Sequence, residues 1–383
     1  MFRTAKLIRD TLRAGTAMNG TSEAARLMRS GRLMEATSAL QEHLGGGLPM
    51  SGSSMPAFTM PTSTIPGGFS MPGSFSMPGG AVPGGSMPGP RGTGARTSDR
   101  APGTVTRGSA GGLAYRLYVP TGAPTGAPLL VMLHGGTQDA DAFAACTGMD
   151  EAAERAGVVV AYPEQSRSAN AMGYWNWFRP GDQARDAGEP AMIAAVTREV
   201  TAQHGVDPAR VAVAGFSAGA AMAAVMAATY PDLFCGAGVH SGLPHGAARD
   251  VGSAFAAMSS PPRTVTDAGP VPLIVVHGDG DRTVAAGNGE AVVRAALVAK
   301  GATEHVRETG RTEGGRGWTR ERWSEPGGRV LAESWTVHGM GHDWSGGRAG
   351  EKYADPTGPD VAAAMFAFFG FTGTGVHQGR EVG

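Results

Sequence analysis

The chain has 383 residues, of which 61 are Gly and 26 are Pro, a level at which part of it is expected to be of low complexity. Hydrophobic residues at 41% exceed what a wholly disordered chain carries, so an ordered core and a disordered segment are expected side by side. The 32 Lys and Arg against 33 Asp and Glu leave a net charge of −1, which provides no field for nucleic acid or anionic lipid and argues against a nucleic-acid partner; the two cysteines, Cys146 and Cys235, are too few for a disulfide scaffold or a structural zinc site, and no metal or other cofactor is expected.

Residues 1–44 read as a helical arm. Ser22 is a plausible N-cap, and Leu27, Met28, Leu33, Met34 and Leu40 recur at amphipathic-helix spacing, with a break near Gly31. Seven Lys and Arg against four Asp and Glu make the arm basic. It reads either as a small hairpin that packs on the main domain or self-associates, or as an arm that docks on an apolar surface; its residues do not decide between these. The first twenty residues are broken by Arg and Asp before a signal-peptide core can develop, and no run reaches the roughly 18 apolar residues of a spanning helix. The expectation is a cytoplasmic protein without a transmembrane segment.

Residues 45–107 are dominated by Gly, Pro, Ser and Met, with SMPG at 70–73, 76–79 and 86–89. So few clustered apolar residues cannot offset the entropy of ordering, and a disordered linker is expected. From 108 to 371, short apolar runs alternate with Ala-rich helical stretches. LAYRLYVP alternates as a half-buried strand, while APLLVMLHGG, AGVVVAYPE, ARVAVAGFS, GAGVHSG and VPLIVVHGDGD are continuous runs, as in strands buried on both faces. DEAAERAG, EPAMIAAVTREVTAQHG and AGAAMAAVMAATYPD between them suit crossover helices. This alternation predicts an α/β domain with a mainly parallel sheet and its functional groups at the carboxyl ends of the strands. GWTRERWSEPGGRVLAESWTV reads as a supporting hairpin, and residues 372–383 as a flexible tail.

Within VAVAGFSAGAAMAAVMAATYP, Gly215, Ser217 and Gly219 form G-x-S-x-G between a buried strand and a helix. Small neighbours allow a turn tight enough to raise the Ser217 hydroxyl beside the free N–H groups of a helix N-terminus. A serine hydroxyl is a weak nucleophile and needs a histidine base and an orienting carboxylate. Asp279 and Asp281 follow a buried strand, and His277, Gly278, Asp281 and Val284 fit H-G-x-x-D-x-x-V, which favours Asp281 as the acid and leaves Asp279 to cap the turn. Of His305, His338, His342 and His377, His342 lies on a glycine-hinged loop beyond a strand and is the expected base; His338 reads as structural, and His377 lies in the polar tail. His134, Gly135 and Gly136 close an early strand, where the Gly136 N–H, together with that of Ala218, suits an oxyanion. His134, Trp175, Trp177 and Trp344 are the candidates for substrate contact. For the run Tyr174, Trp175, Asn176, Trp177 and Phe178, a pocket wall and core packing are both open readings, and one tryptophan can serve each.

LHGGTQDADAF, GVVVAYPEQSRSANAMGYWNWF, DQARDAGEPAMIA, VDPARVAVAGFSAGAAMAAVMAATYPDLF, GVHSGLPHG and VHGMGHDWSGG together resemble the poly(3-hydroxybutyrate) depolymerase family of esterases over nearly all of residues 108–371. The resemblance implies an α/β-hydrolase fold and a serine esterase acting on polyester, its oligomers or short-chain esters, with Ser217, Asp281 and His342 as the triad and His134 to Gly136 as the oxyanion turn. Many members of the family act outside the cell, which is the alternative to a cytoplasmic location. Two departures from the family pattern stand out. Gly136 and Tyr174 occupy positions where members commonly carry cysteines, so a pair that would link those loops is absent. About a dozen residues follow AAAMFAFFGF, with no polymer-binding module among them, so weak attack on crystalline polymer is expected. The rival readings are an acetyl- or feruloyl-type polysaccharide esterase and a catalytically idle granule scaffold.

Overall fold

A computed structural model describes residues 101–298, 300 and 303–371 of the chain. The expected arm, nearly all of the expected linker and the tail fall on residues 1–100 and 372–383, outside the described residues. β1 (Thr104–Ala110) starts inside the stretch assigned above to the linker and pairs antiparallel with β2 (Leu113–Val119) along its whole length. Residues 104–107 therefore belong to the sheet. They are exposed on an edge strand, so they carry no apolar alternation to mark them.

The remaining strands come from the runs that looked buried on both faces. β3 (Leu129–Leu133), β4 (Val159–Glu164), β5 (Val211–Phe216), β6 (Gly236–His240) and β7 (Leu273–Gly278) are parallel neighbours in the order β4-β3-β5-β6-β7. β8 (Glu304–Arg311), β9 (Gly317–Ser324) and β10 (Val330–Val337) extend the sheet to ten strands, ordered β1-β2-β4-β3-β5-β6-β7-β10-β9-β8. β10 runs parallel to β7, and β9 and β8 add antiparallel partners. The expected hairpin is thus the β9–β10 pair, whereas β8 is an exposed, largely polar edge whose one large apolar side chain, Val306, faces solvent, so it carries no strand signal.

Side-chain alternation divides the core in two. Leu129, Val131, Leu133, Val213 and Val275 face one side, which is covered by α3 (Gly188–Gln203), α4 (Ala218–Thr229), α5 (Val251–Ser259) and α6 (Gly287–Leu297). Leu130, Met132, Ala212, Ile274 and Val276 face the other side, against α1 (Ala140–Thr147), α2 (Met149–Ala156) and α7 (Val361–Phe368). A parallel strand between two helical layers has no solvated face, which is why these runs are continuously apolar. A short parallel pair, β11 (Trp344–Ser345) and β12 (Ala354–Asp355), precedes α7. The antiparallel β2 beside a parallel sheet wrapped by helices on both faces is the α/β-hydrolase fold. Among the described residues no helix is long and apolar enough to cross a membrane.

Candidate active site

The site forms where β3, β5, β7 and β10 end. β5 is buried throughout, α4 begins one residue after Ser217, and Ser217 itself takes φ 55° and ψ −118°, a region that costs a non-glycine residue about 1–3 kcal/mol. The flanking glycines explain how the turn fits. A Cβ on Gly215 would lie 2.4 Å from the Gly219 carbonyl, and one on Gly219 would lie 2.0 Å from Leu133 O and 2.5 Å from His134 O. Without side chains at these two positions, the start of α4 seats directly on the end of β3, bringing the serine turn against the His134–Gly136 turn. The Ser217 N–H donates to His240 O at 2.9 Å, which fixes the turn from the other side.

His342 reaches this serine from the loop after β10. Its Nε2 is 2.9 Å from Ser217 Oγ and its Nδ1 is 2.7 Å from Asp281 Oδ2. The Asp281 side chain is fully buried. Its Oδ1 accepts the Thr283 and Val284 N–H groups at 2.8 and 2.9 Å, and His277 Nε2 lies 3.4 Å from its Oδ2. Burial works to raise the Asp281 carboxyl, but the hydrogen bonds from His277 and His342 outweigh it and hold the group well below the usual carboxylate range. Asp279 is elsewhere. It pairs with His338 at 2.8 Å and accepts the Gly339 N–H at 2.6 Å, on a side of the loop where both side chains are about half exposed. A carboxylate–imidazole–hydroxyl chain of this kind can take the hydroxyl proton on one nitrogen while the other stays bonded to the acid.

Gly136 and Ala218 both line the cleft above Ser217. Gly135 N–H is committed to Gln138 Oε1 at 3.0 Å and Thr137 N–H to Met172 O at 3.3 Å. Ala218 is the first residue of α4, so its N–H has no intrahelical acceptor. His134, a candidate for substrate contact, is instead buried behind the turn. Its Nδ1 lies 2.8 Å from Gly135 O and its Nε2 accepts the Gln165 N–H at 3.1 Å, and burial lowers its pKa, so it is a neutral brace. Trp175 is also fully buried and donates from Nε1 to His134 O at 3.1 Å. Trp344 is buried against Phe143 and stacked 4.8 Å from His240. His134, Trp175 and Trp344 therefore belong to the packing layer beneath the cleft and not to its lining; of the four candidates, Trp177 lies on its wall.

Tyr174 and Phe178 of the same aromatic run also line the cleft, whereas Leu243 and the residues of α5 on its wall were not singled out in the sequence. The cleft holds about 820 Å³ including its open mouth, and Tyr174, Phe178, Leu243, Phe255, Met258 and Val284 give it an apolar lining. Val251, Ala254, Phe255 and Met258 come from one face of α5 at helical spacing, a stripe legible in VGSAFAAMS. Behind Tyr174 and Trp177, the buried Glu189 accepts from Asn176 N at 2.7 Å and from Asn176 Nδ2 and Gln165 Nε2 at 2.5 Å each. Burial raises the Glu189 carboxyl to about 7 against the pull of these donors. The same Gln165 contacts His134, so one network ties the aromatic wall to the Gly136 turn. Among the described residues, no group of three or more His, Cys, Asp or Glu could hold a metal ion.

Comparison with known proteins agrees with this architecture. The family model described as esterase PHB depolymerase matches residues 113–321, more than half of the chain. The chain belongs to that family. It is 37% identical over 246 residues to poly(3-hydroxyalkanoate) depolymerase C of Paucimonas lemoignei, covering 61% of this chain and 58% of the relative, so it spans less than two thirds of that relative's length. It is 32% identical over 136 residues to acetylxylan esterase A of Talaromyces purpureogenus, 35% of each protein. Among solved structures, an acetyl xylan esterase from Aspergillus awamori shares the fold, with a TM-score of 0.57 and 20% identity over 70% of this chain and all of the other.

Proposed function

We propose that this chain is a serine esterase that hydrolyses poly(3-hydroxybutyrate)-type polyester, its oligomers or short-chain esters. Ser217 Oγ attacks the ester carbonyl while His342 Nε2 takes its proton. Gly136 and Ala218 N–H groups stabilise the tetrahedral oxyanion, and His342 returns the proton to the leaving alcohol. Asp281 holds the imidazole in the tautomer that leaves Nε2 free to accept. Water, deprotonated by the same histidine, then releases the acid from Ser217.

The observation that carries this reading is the Asp281–His342–Ser217 chain, with contacts of 2.7 and 2.9 Å, at the base of an apolar cleft. Aliphatic and aromatic walls match an alkyl-bearing ester better than a hydroxyl-rich sugar chain, whose donors and acceptors would lose water without replacement. Docking on a polyester surface through residues 1–44 belongs to the same proposal, because a tethered amphipathic arm raises local enzyme concentration. The test is a substrate panel of 3-hydroxybutyrate oligomers, amorphous granules, nitrophenyl butyrate and acetylated xylan, each run with the intact chain and with Ser217→Ala. Hydrolysis of the oligomers and nitrophenyl ester, abolished in Ser217→Ala, is expected. A preference for acetylated xylan would move the substrate to polysaccharide esters, and no hydrolysis of any ester would favour an idle scaffold.

A further inference from the structure

His277 sits four residues before Asp281 at the end of β7 and is buried. Its Nε2 is 2.9 Å from Val284 O and 3.4 Å from Asp281 Oδ2. A carbonyl and a carboxylate are acceptors only, so Nε2 carries the hydrogen. The other nitrogen, Nδ1, is buried with no hydrogen-bond partner. Gly289 of α6 packs against the ring so closely that a Cβ there would lie 3.0 Å from Nδ1. A hydrogen on Nδ1 would be a buried donor with no acceptor, so the geometry favours the tautomer whose hydrogen sits on Nε2 and is aimed at the acid loop.

We infer that His277 is a positioning residue for the proposed reaction: its Nε2–H clamps the Asp281–Val284 turn and shares the Asp281 Oδ2 charge with His342. This inference rests on the serine-esterase reading. Asp281 Oδ1 accepts two backbone N–H groups, and Oδ2 pairs with His342 Nδ1 at 2.7 Å with His277 Nε2 3.4 Å away on its other side, so both oxygens of the carboxylate are held and two rings face its charge. Removing His277 as a donor leaves Asp281 facing His342 alone. The undivided charge then stabilises the His342 imidazolium and raises the pH at which that base becomes free. The other ionisable groups around the pair are His240 at the end of β6, kept neutral by burial, and Asp343 beside His342, raised by burial. Of the two, His240 also feels the charge of His277.

The test compares His277→Asn, whose amide cannot reach the Nε2 position, with His277→Gln, whose amide nitrogen can. Each is assayed on nitrophenyl butyrate across pH, and its fold is checked by circular dichroism. His277→Asn is expected to lower kcat roughly 10- to 100-fold at an unchanged KM. The acid-limb midpoint of kcat/KM should move up by on the order of half a unit. His277→Gln should recover the wild-type midpoint and most of kcat. A folded His277→Asn with the wild-type midpoint, or a His277→Gln that behaves like it, overturns the inference. If His277→Asn does not fold, ring-nitrogen NMR of the unaltered protein decides. A hydrogen on Nε2 is expected, and an Nδ1–H tautomer contradicts the proposal. Absence of ester hydrolysis in the unaltered protein would sink the esterase reading itself, and the NMR result would still judge the clamp.

Discussion

Replacing Asp281 by Asn changes one atom, and the structure determines where that atom goes. Asp281 Oδ1 accepts two backbone N–H groups, at 2.8 Å from Thr283 and 2.9 Å from Val284. Turning an amide NH2 toward them would leave buried donors facing a donor, at about 1–3 kcal/mol each. The amide oxygen therefore keeps the Oδ1 place and the NH2 group takes the Oδ2 place, against His342 Nδ1 at 2.7 Å. His342 must then accept on Nδ1 and carry its proton on Nε2, where it points at Ser217 and cannot act as a base. The expected loss of kcat is on the order of 10⁴-fold, as in the serine-protease precedent, with KM little changed because the cleft wall is untouched. Asp279→Asn is the internal control. Its partner His338 lies outside the cleft and both side chains are about half exposed, so less than roughly threefold is expected. Turnover of nitrophenyl butyrate, with circular dichroism to confirm folding, measures both. A folded Asp281→Asn within tenfold of wild type, or a larger loss from Asp279→Asn, refutes the assignment of the acid.

Gly219→Ala would drive a Cβ to within 2.0 Å of Leu133 O, and a destabilisation of at least about 3 kcal/mol is expected, seen as a fall in Tm of roughly 6–12 °C. Gly252→Ala, on an open face of α5 with only Asp250 Oδ1 at 3.5 Å, is expected to raise stability by up to about 1 kcal/mol in the same melt. Glu189→Gln sets an amide donor against the buried donors of Asn176 or Gln165. It should cost about 1–3 kcal/mol in denaturant titration and raise KM more than it lowers kcat, because the aromatic wall loosens. A chain beginning at Ala101 retains β1 and every proposed catalytic group, and is expected to hydrolyse soluble short esters within about twofold of the full chain. On amorphous polyester granules it should lose rate, and an equal rate there would remove the docking role proposed for residues 1–44.

The parallel strands were legible because burial on both faces forces continuous apolar runs, and these end at the turns that hold Ser217, Asp281 and the Gly136 loop. The edges were not. β1 and β8 are exposed edges with one large apolar side chain each, Val105 and Val306, both turned to solvent, so neither carries a hydrophobic period. Trp175 and Trp177 looked alike in sequence, and only the irregular path of their loop turns one into the core and leaves the other on the cleft. The α5 wall has a legible helical stripe, but its position over Ser217 depends on chain packing between β6 and β7, which no local pattern encodes. The contact between His277 and Asp281 was hidden for a similar reason: four residues apart in a non-helical turn, two side chains can face each other or diverge.

Ester hydrolysis at this site requires Ser217 to be an activated nucleophile, and covalent labelling with a fluorophosphonate followed by peptide mapping tests this most directly. A single adduct is expected, on the peptide containing Ser217, with a labelling rate reduced by at least about 10³-fold in His342→Ala, which removes the proposed base. An unlabelled folded protein, or an adduct on any other residue with Ser217 untouched, would contradict the account.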